Sequence, residues 1–350
     1  MNKLTKVGLT ALAGSLAAIA GANAGSLTVS GGSDITWLSK TGNTTSSTDA
    51  ETGNPIGWKN NITFGASGEL DNGISWSANA YNSDAQALTS SNITFDLGGM
   101  GSLLVDNGAG GAGLDAVDDK MPTAWEETHG AGLDSGAVTV SGISGSASLT
   151  YTLPTDSLPA GTKIRLGYTP RADGGGLQAD MGTSGGSAGN GNDSAWDVTV
   201  EMAPVEGFSV FAGYAAISTD DPNLAGVDGG HNKESGTYGA IFTVGSVEIG
   251  AQQSYVSNNN GTTTSVNYYD NLNWGVAFNV NDNLSISYAN FESEENLGTT
   301  GGQTLDIDSL QLAYNMGGAT IKFANTDSSD TKYTAGAEME VNTVALALAF

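Results

Sequence analysis

Tight turns rich in Gly, Asn and Asp recur through the second half of this chain at nearly constant intervals. They fall at Glu206-Gly207, Gly245, Asn281-Asp282-Asn283 and Gly317-Gly318, and with the C-terminus closing the series the spacings are about 33 to 39 residues. Each interval holds two amphipathic runs around a longer polar stretch, at Asp220 to Glu234, Asn258 to Thr264, Glu292 to Gly302 and Asn325 to Thr334. Short and long connections in strict alternation describe antiparallel strands laid down in chain order, with tight turns at one end and long loops at the other. A propeller or solenoid would repeat similar blocks without alternating the loop lengths.

The runs themselves have a period of two. Ile62, Phe64 and Ala66 alternate with Asn61, Thr63 and Gly65; Val198, Val200 and Met202 with Asp197, Thr199 and Glu201; Ile164, Leu166 and Tyr168 with Lys163, Arg165 and Gly167. In the last run Val344, Leu346, Leu348 and Phe350 share one face, while Thr343, Ala345, Ala347 and Ala349 share the other. Bulky apolar groups opposite small or polar ones suit a wall with hydrocarbon outside and a lumen inside. The terminal Phe350 fits the aromatic belt at a membrane edge, which gives it an expected role in membrane assembly. Beyond residue 24 no stretch approaches the roughly 20 apolar residues of a spanning helix. Evenly spread aromatic residues argue against disorder.

The expected fold is therefore all-β: a transmembrane, antiparallel, up-and-down β-barrel. Sixteen strands are predicted at 27–38, 56–69, 73–84, 90–97, 101–106, 162–169, 176–183, 194–203, 207–217, 236–244, 246–256, 266–280, 283–292, 303–316, 318–326 and 337–350. A closed single-chain bacterial barrel needs an even number. The remaining hairpin, Ala137 to Leu153, is assigned to a loop; placing it in the wall would make eighteen strands. Two irregularities stand out. The apolar parity flips between Ile307 and Leu310, so Leu305 and Ile307 are candidates for a loop. Glu338 and Glu340 share the apolar face of the last strand and are expected above the membrane, at the outer rim.

Residues 1–24 read as a cleaved signal peptide: Lys3 and Lys6, a short apolar core over Val7 to Ala20, then Ala22-Asn23-Ala24. Residues 25–350 form a single domain. Without the two leader lysines, 37 acids face 9 bases, so the mature formal charge is 9 − 37 = −28. Such a chain repels nucleic acid and attracts cations. With no cysteine, neither disulfides nor thiolate metal sites hold it together.

The longest irregular segment runs over 107–160. It begins with Gly108, Gly110, Gly111 and Gly113 and continues through Asp115, Asp118, Asp119, Glu126, Glu127 and Asp134. The order of elements is a leader, first hairpins with Asp71-Asn72-Gly73, Gly98-Gly99-Met100-Gly101 before a strand, a long acidic loop, then paired strands ending in Phe. This order resembles the general bacterial outer-membrane porins, especially the alphaproteobacterial type, across the whole mature chain. The resemblance implies a third external loop folded into the lumen as an acidic constriction opposite a basic wall patch. It implies a homotrimer in a Gram-negative outer membrane, in contact with outer-membrane lipid and lipopolysaccharide and inserted by the barrel-assembly machinery. Carried onto this chain, the constriction acids are Asp115, Asp118, Asp119, Glu126 and Glu127. The basic wall residues are Lys59, Lys163, Arg165 and Lys322. The chain departs from the family in having only two arginines, Arg165 and Arg171, so acids should dominate and cations should be preferred.

No catalytic constellation competes with this reading. His129 and His231 stand apart, and neither HExxH nor GxxxxGK[ST] occurs. No cofactor is expected, although oxygen-rich loops of this kind also suit Ca²⁺. Trp58, Trp76, Trp196, Trp274, Tyr168, Tyr214 and Tyr288 read as an interfacial girdle. The expected function is a passive pore for ions and small hydrophilic solutes. A secreted acidic surface-layer or adhesive β-protein is the alternative from another class, and a barrel with a specific solute site is a third.

Overall fold

The computed structural model describes residues 25–350 except 44–53, 84–87, 131, 141, 144–146, 171, 173–191, 220–232, 258–265 and 298–299. The leader at 1–24 and the expected strand at 176–183 lie outside the described residues. Sixteen strands make up the wall: β1 (Leu27–Gly42), β2 (Ile56–Glu69), β3 (Ser75–Ser83), β4 (Ser90–Asp96), β5 (Ser102–Asn107), β6 (Ala147–Thr152), β7 (Lys163–Thr169), β8 (Asn192–Val205), β9 (Phe208–Thr219), β10 (Lys233–Val244), β11 (Val247–Ser257), β12 (Val266–Asn281), β13 (Leu284–Leu297), β14 (Thr300–Asn315), β15 (Ala319–Ser329) and β16 (Glu338–Ala349). Among the described residues the only helical pieces are short 3₁₀ turns.

Each strand pairs with its chain neighbours, and β1 pairs antiparallel with β16 from Gly32↔Ala349 to Gly42↔Met339, which closes the ring. Phe350 completes the seam: its N–H donates to the Gly31 carbonyl at 3.0 Å, and its carbonyl accepts the Gly31 N–H at 3.0 Å. Closure leaves no unpaired sheet edge, the condition for a β-structure in hydrocarbon. The tight turns are built as their composition requires. Gly207 and Gly317 adopt φ of 75° and 89°, backbone that a side chain would strain.

Side-chain parity divides the wall. Trp58, Tyr168, Trp196, Tyr238, Ile249 and Leu310 point outward and are exposed, as are Tyr288 and Trp274, while the girdle aromatics Trp76 and Tyr214 are half-buried. Thr199, Gln252, Asn271, Ser287, Gln311 and Thr343 point inward and are buried. An apolar exterior around a polar interior reverses the arrangement of a soluble protein, and it matches a wall facing lipid.

Three sequence expectations need correction. Ala147–Thr152, assigned above to a loop hairpin, is wall strand β6, paired with β5 and β7. The long loop therefore ends at residue 146 and not at 160, and 153–162 is a tight connection at the short-turn end. Among the described residues sixteen strands, this one included, close the barrel. Finally, Leu305 and Ile307 belong to β14 and face inward at 0% exposure, while Asp306 faces outward at the same height. In β16, Met339 and Val341 face inward and Glu340 outward. The inversion has one cause: near the long-loop end the barrel interior is filled by protein, so the inner face becomes apolar there.

Candidate pore constriction

The protein filling that interior is the loop between β5 and β6. Its entry is set by Asp106, 1% exposed, whose carboxylate accepts the N–H groups of Ala109 at 3.1 Å and Gly110 at 3.3 Å and turns the chain inward. Asp197 on β8 then accepts the Leu114 N–H at 3.0 Å. Gly113 passes so close that a Cβ would lie 2.1 Å from the Asp197 carboxylate, and its φ is +56°. Leu114 and Val117, both 0% exposed, pack on Gly213, Phe211 and Ala215 of β9.

From there the loop runs along the inner wall on a track of amide and hydroxyl side chains. Gln252 of β11 donates to the Val117 carbonyl at 3.1 Å and the Asp118 carbonyl at 2.7 Å, and accepts the Lys120 N–H at 3.3 Å. Pro122 sits on Gly250 and Gly275, where a Cβ would lie under 3 Å away. Ser287 of β13 accepts the Ala124 N–H at 2.8 Å. Gln311 of β14 accepts the N–H groups of Trp125 and Glu126, both at 3.0 Å, and donates to the Glu126 carbonyl at 2.9 Å. Buried backbone groups need such partners, and inward-facing Gln, Asn and Ser supply them where no neighbouring strand can.

The far end of the loop is held by packing. Leu133 joins Phe291, Leu305, Ile307, Met339 and Val341 in an apolar cluster. Asp134 pairs with Lys332 at 2.8 Å, and the Val138 carbonyl accepts from Asn271 at 3.0 Å. The chain then returns over Val140 and Ile143 to β6. The loop thus lies inside the barrel against β8 to β16.

The expected acids act on one another along this loop. The Asp119 side chain is open on one side and ringed by protein on the others; this desolvation, then Glu127 and Asp118, push its carboxyl up to about 7. Desolvation and the neighbouring Asp115 push Asp118 up to about 6. Glu126 is raised by desolvation and by Glu127, against the opposing pull of Lys322 and Lys59. The fifth acid, Asp115, braces the loop: its carboxylate accepts the Gly142 N–H and ties the outgoing limb to the returning one. His129 stacks on Phe291 with ring centroids 5.3 Å apart, and burial lowers its pKa, so it is neutral at pH 7.

The four expected bases do not form one patch. Lys59 on β2 and Lys322 on β15 act on Glu126, and the Lys322 ammonium lies 5.5 Å from the centre of the Trp125 ring. Lys163 and Arg165 on β7 stand across the ring from them, near the short-turn end. There Arg165 pairs with Glu201 at 2.6 Å, and Glu201 also pairs with Lys120 at 3.1 Å. Lys120 is a loop residue that sequence reasoning missed, since nothing in an irregular segment tells which way one lysine points.

The fold recurs among solved bacterial porins. The Salmonella typhi OmpF structure in complex with daunomycin aligns at TM-score 0.65 and 15% identity, over 93% of this chain and 98% of that one. A variant of the Rh. blastica porin aligns at 0.57 and 14% identity, over 93% and 100%. OmpT of Vibrio cholerae, an outer membrane protein, aligns at 0.62 and 11% identity, over 93% and 98%. No protein-family model matches the sequence, and neither does any curated protein. At these identities the likeness establishes a general porin fold: a closed sixteen-stranded antiparallel barrel.

Proposed function

We propose that this chain is a passive diffusion pore of a Gram-negative outer membrane, passing ions and small hydrophilic solutes with a preference for cations. The observation that carries the reading is the acidic loop held within a closed barrel by Gln252, Ser287 and Gln311. A sixteen-stranded barrel encloses an aqueous channel, and a loop fixed inside it sets the narrowest passage. Asp118, Asp119, Glu126 and Glu127 lower the energy of a cation there and raise that of an anion. Lys59 and Lys322 temper the field near Glu126. The exposed apolar exterior supports a membrane setting over the surface-layer alternative.

The same reading includes a cleaved leader at 1–24, assembly as a homotrimer, contact with lipopolysaccharide, and kinship with porins of the alphaproteobacterial type. Each rests on sequence pattern and on the porin fold. The test is reconstitution of the detergent-folded protein in planar bilayers and liposomes. Stepwise conductance and a size cut-off for sugar influx are expected. Folded protein that produces neither steps nor solute entry would end the proposal.

A further inference from the structure

We propose that a basic pocket at the short-turn mouth of this acidic lumen binds small multivalent anions of the phosphate and pyrophosphate class. Three of the nine bases of the mature chain meet there: Lys120 from the loop, and Lys163 and Arg165 from β7. They line a cavity of about 470 Å³ with Glu201, Phe211 and Ile241. In a chain whose mature charge is −28, such convergence requires a reason.

Glu201 supplies one negative charge and divides it between two partners, Lys120 at 3.1 Å and Arg165 at 2.6 Å. Lys163 faces the same carboxylate across the β7–β8 pair, in register with Glu201. Among the described residues no carboxylate lies within ion-pair distance of the Lys163 ammonium. The pocket therefore keeps a formal surplus of two positive charges. Its geometry is fixed as well: the Arg165 guanidinium, 9% exposed as a residue, also donates to the Thr199 hydroxyl at 3.4 Å. A planar guanidinium beside two ammonium groups offers several N–H donors to the oxygens of a phosphate-type anion, and apolar walls of Phe211 and Ile241 strengthen the attraction. A monovalent anion neutralises only half the surplus, so dianions and higher charges are favoured.

The test uses inorganic pyrophosphate as the probe and two readouts. In ³¹P spectra, detergent-folded protein should broaden the pyrophosphate resonance saturably. Lys163→Gln should raise the half-saturating concentration by about tenfold or more, as expected for a lost charge-assisted contact, while Lys322→Gln leaves it unchanged. In bilayers, pyrophosphate should reduce the potassium current saturably in the parent protein, with the half-blocking concentration raised by the same factor in Lys163→Gln. Broadening that fails to saturate, or that is equal in parent and Lys163→Gln, would overturn the pocket while leaving the pore intact. The spectral readout does not depend on conductance, so loss of the diffusion-pore reading would not decide it.

Discussion

Replacing Gln311 by Ala should release the loop and leave the barrel standing. Gln311 is 1% exposed and makes three bonds to the loop backbone: from Trp125 N–H, from Glu126 N–H, and to the Glu126 carbonyl. A net hydrogen bond contributes about 1 kcal/mol, and lumen water will rehydrate some of the freed groups, so the docked state should lose about 2–3 kcal/mol. That shifts the docking equilibrium by roughly 30- to 150-fold toward the undocked form. The wall pairing of β14 with β13 and β15 uses backbone groups only and is unaffected. Hydrogen exchange should show loss of protection at Trp125 and Glu126 with the strand amides unchanged. Single-channel records should show larger and noisier open levels. Unchanged protection at those two amides, with unchanged conductance, would refute the view that wall amides hold the loop.

Lowering the pH should weaken cation preference. With Asp119 near 7 and Asp118 near 6, both ionise between about pH 5 and 8, so cation permeability should climb across that window in reversal-potential measurements. Because folding raises both pKa values, docking is favoured by these groups at low pH and loses that contribution as pH rises through 6 to 7; loop-amide protection should fall correspondingly. Neutralising Glu126 and Glu127 to Gln should reduce cation over anion permeability, whereas Lys322→Gln should increase it, both read from zero-current potentials. Deleting Phe350 removes the two bonds to Gly31 that complete the β1–β16 seam. The yield of folded, heat-modifiable barrel on gels should then drop, with little effect on the pores that do form.

The fold is largely legible in the sequence because its signals are local. Period-two alternation places each strand, and Gly317 marks a turn for a reason visible in its residue type. The six-residue strand Ala147–Thr152 is harder to see, because it follows an irregular segment and is too short to show a period above its surroundings. The inverted parity of Leu305 and Ile307 is visible, but on its own it has the same signature as a loop. It records a contact with Leu133, more than 170 residues away in the chain. The site is legible in its residue types and less so in their pairing. Asp118, Asp119, Glu126 and Glu127 lie close enough to act on one another, and the Asp115 carboxylate turns to the Gly142 N–H. Arg165 turns to Glu201, which also takes Lys120 from the loop. Partners like these are set by how the loop docks, and neither spacing nor parity encodes that.

Carboxylates on an inward-folded loop are expected to govern which ions occupy the lumen. The zero-current potential across a bilayer under a KCl gradient measures this directly. The intact protein should give the sign of potassium preference, reduced toward zero when Asp118 and Asp119 become Asn and Glu126 and Glu127 become Gln. A chloride-selective parent pore, or a potential indifferent to all four substitutions, would contradict it.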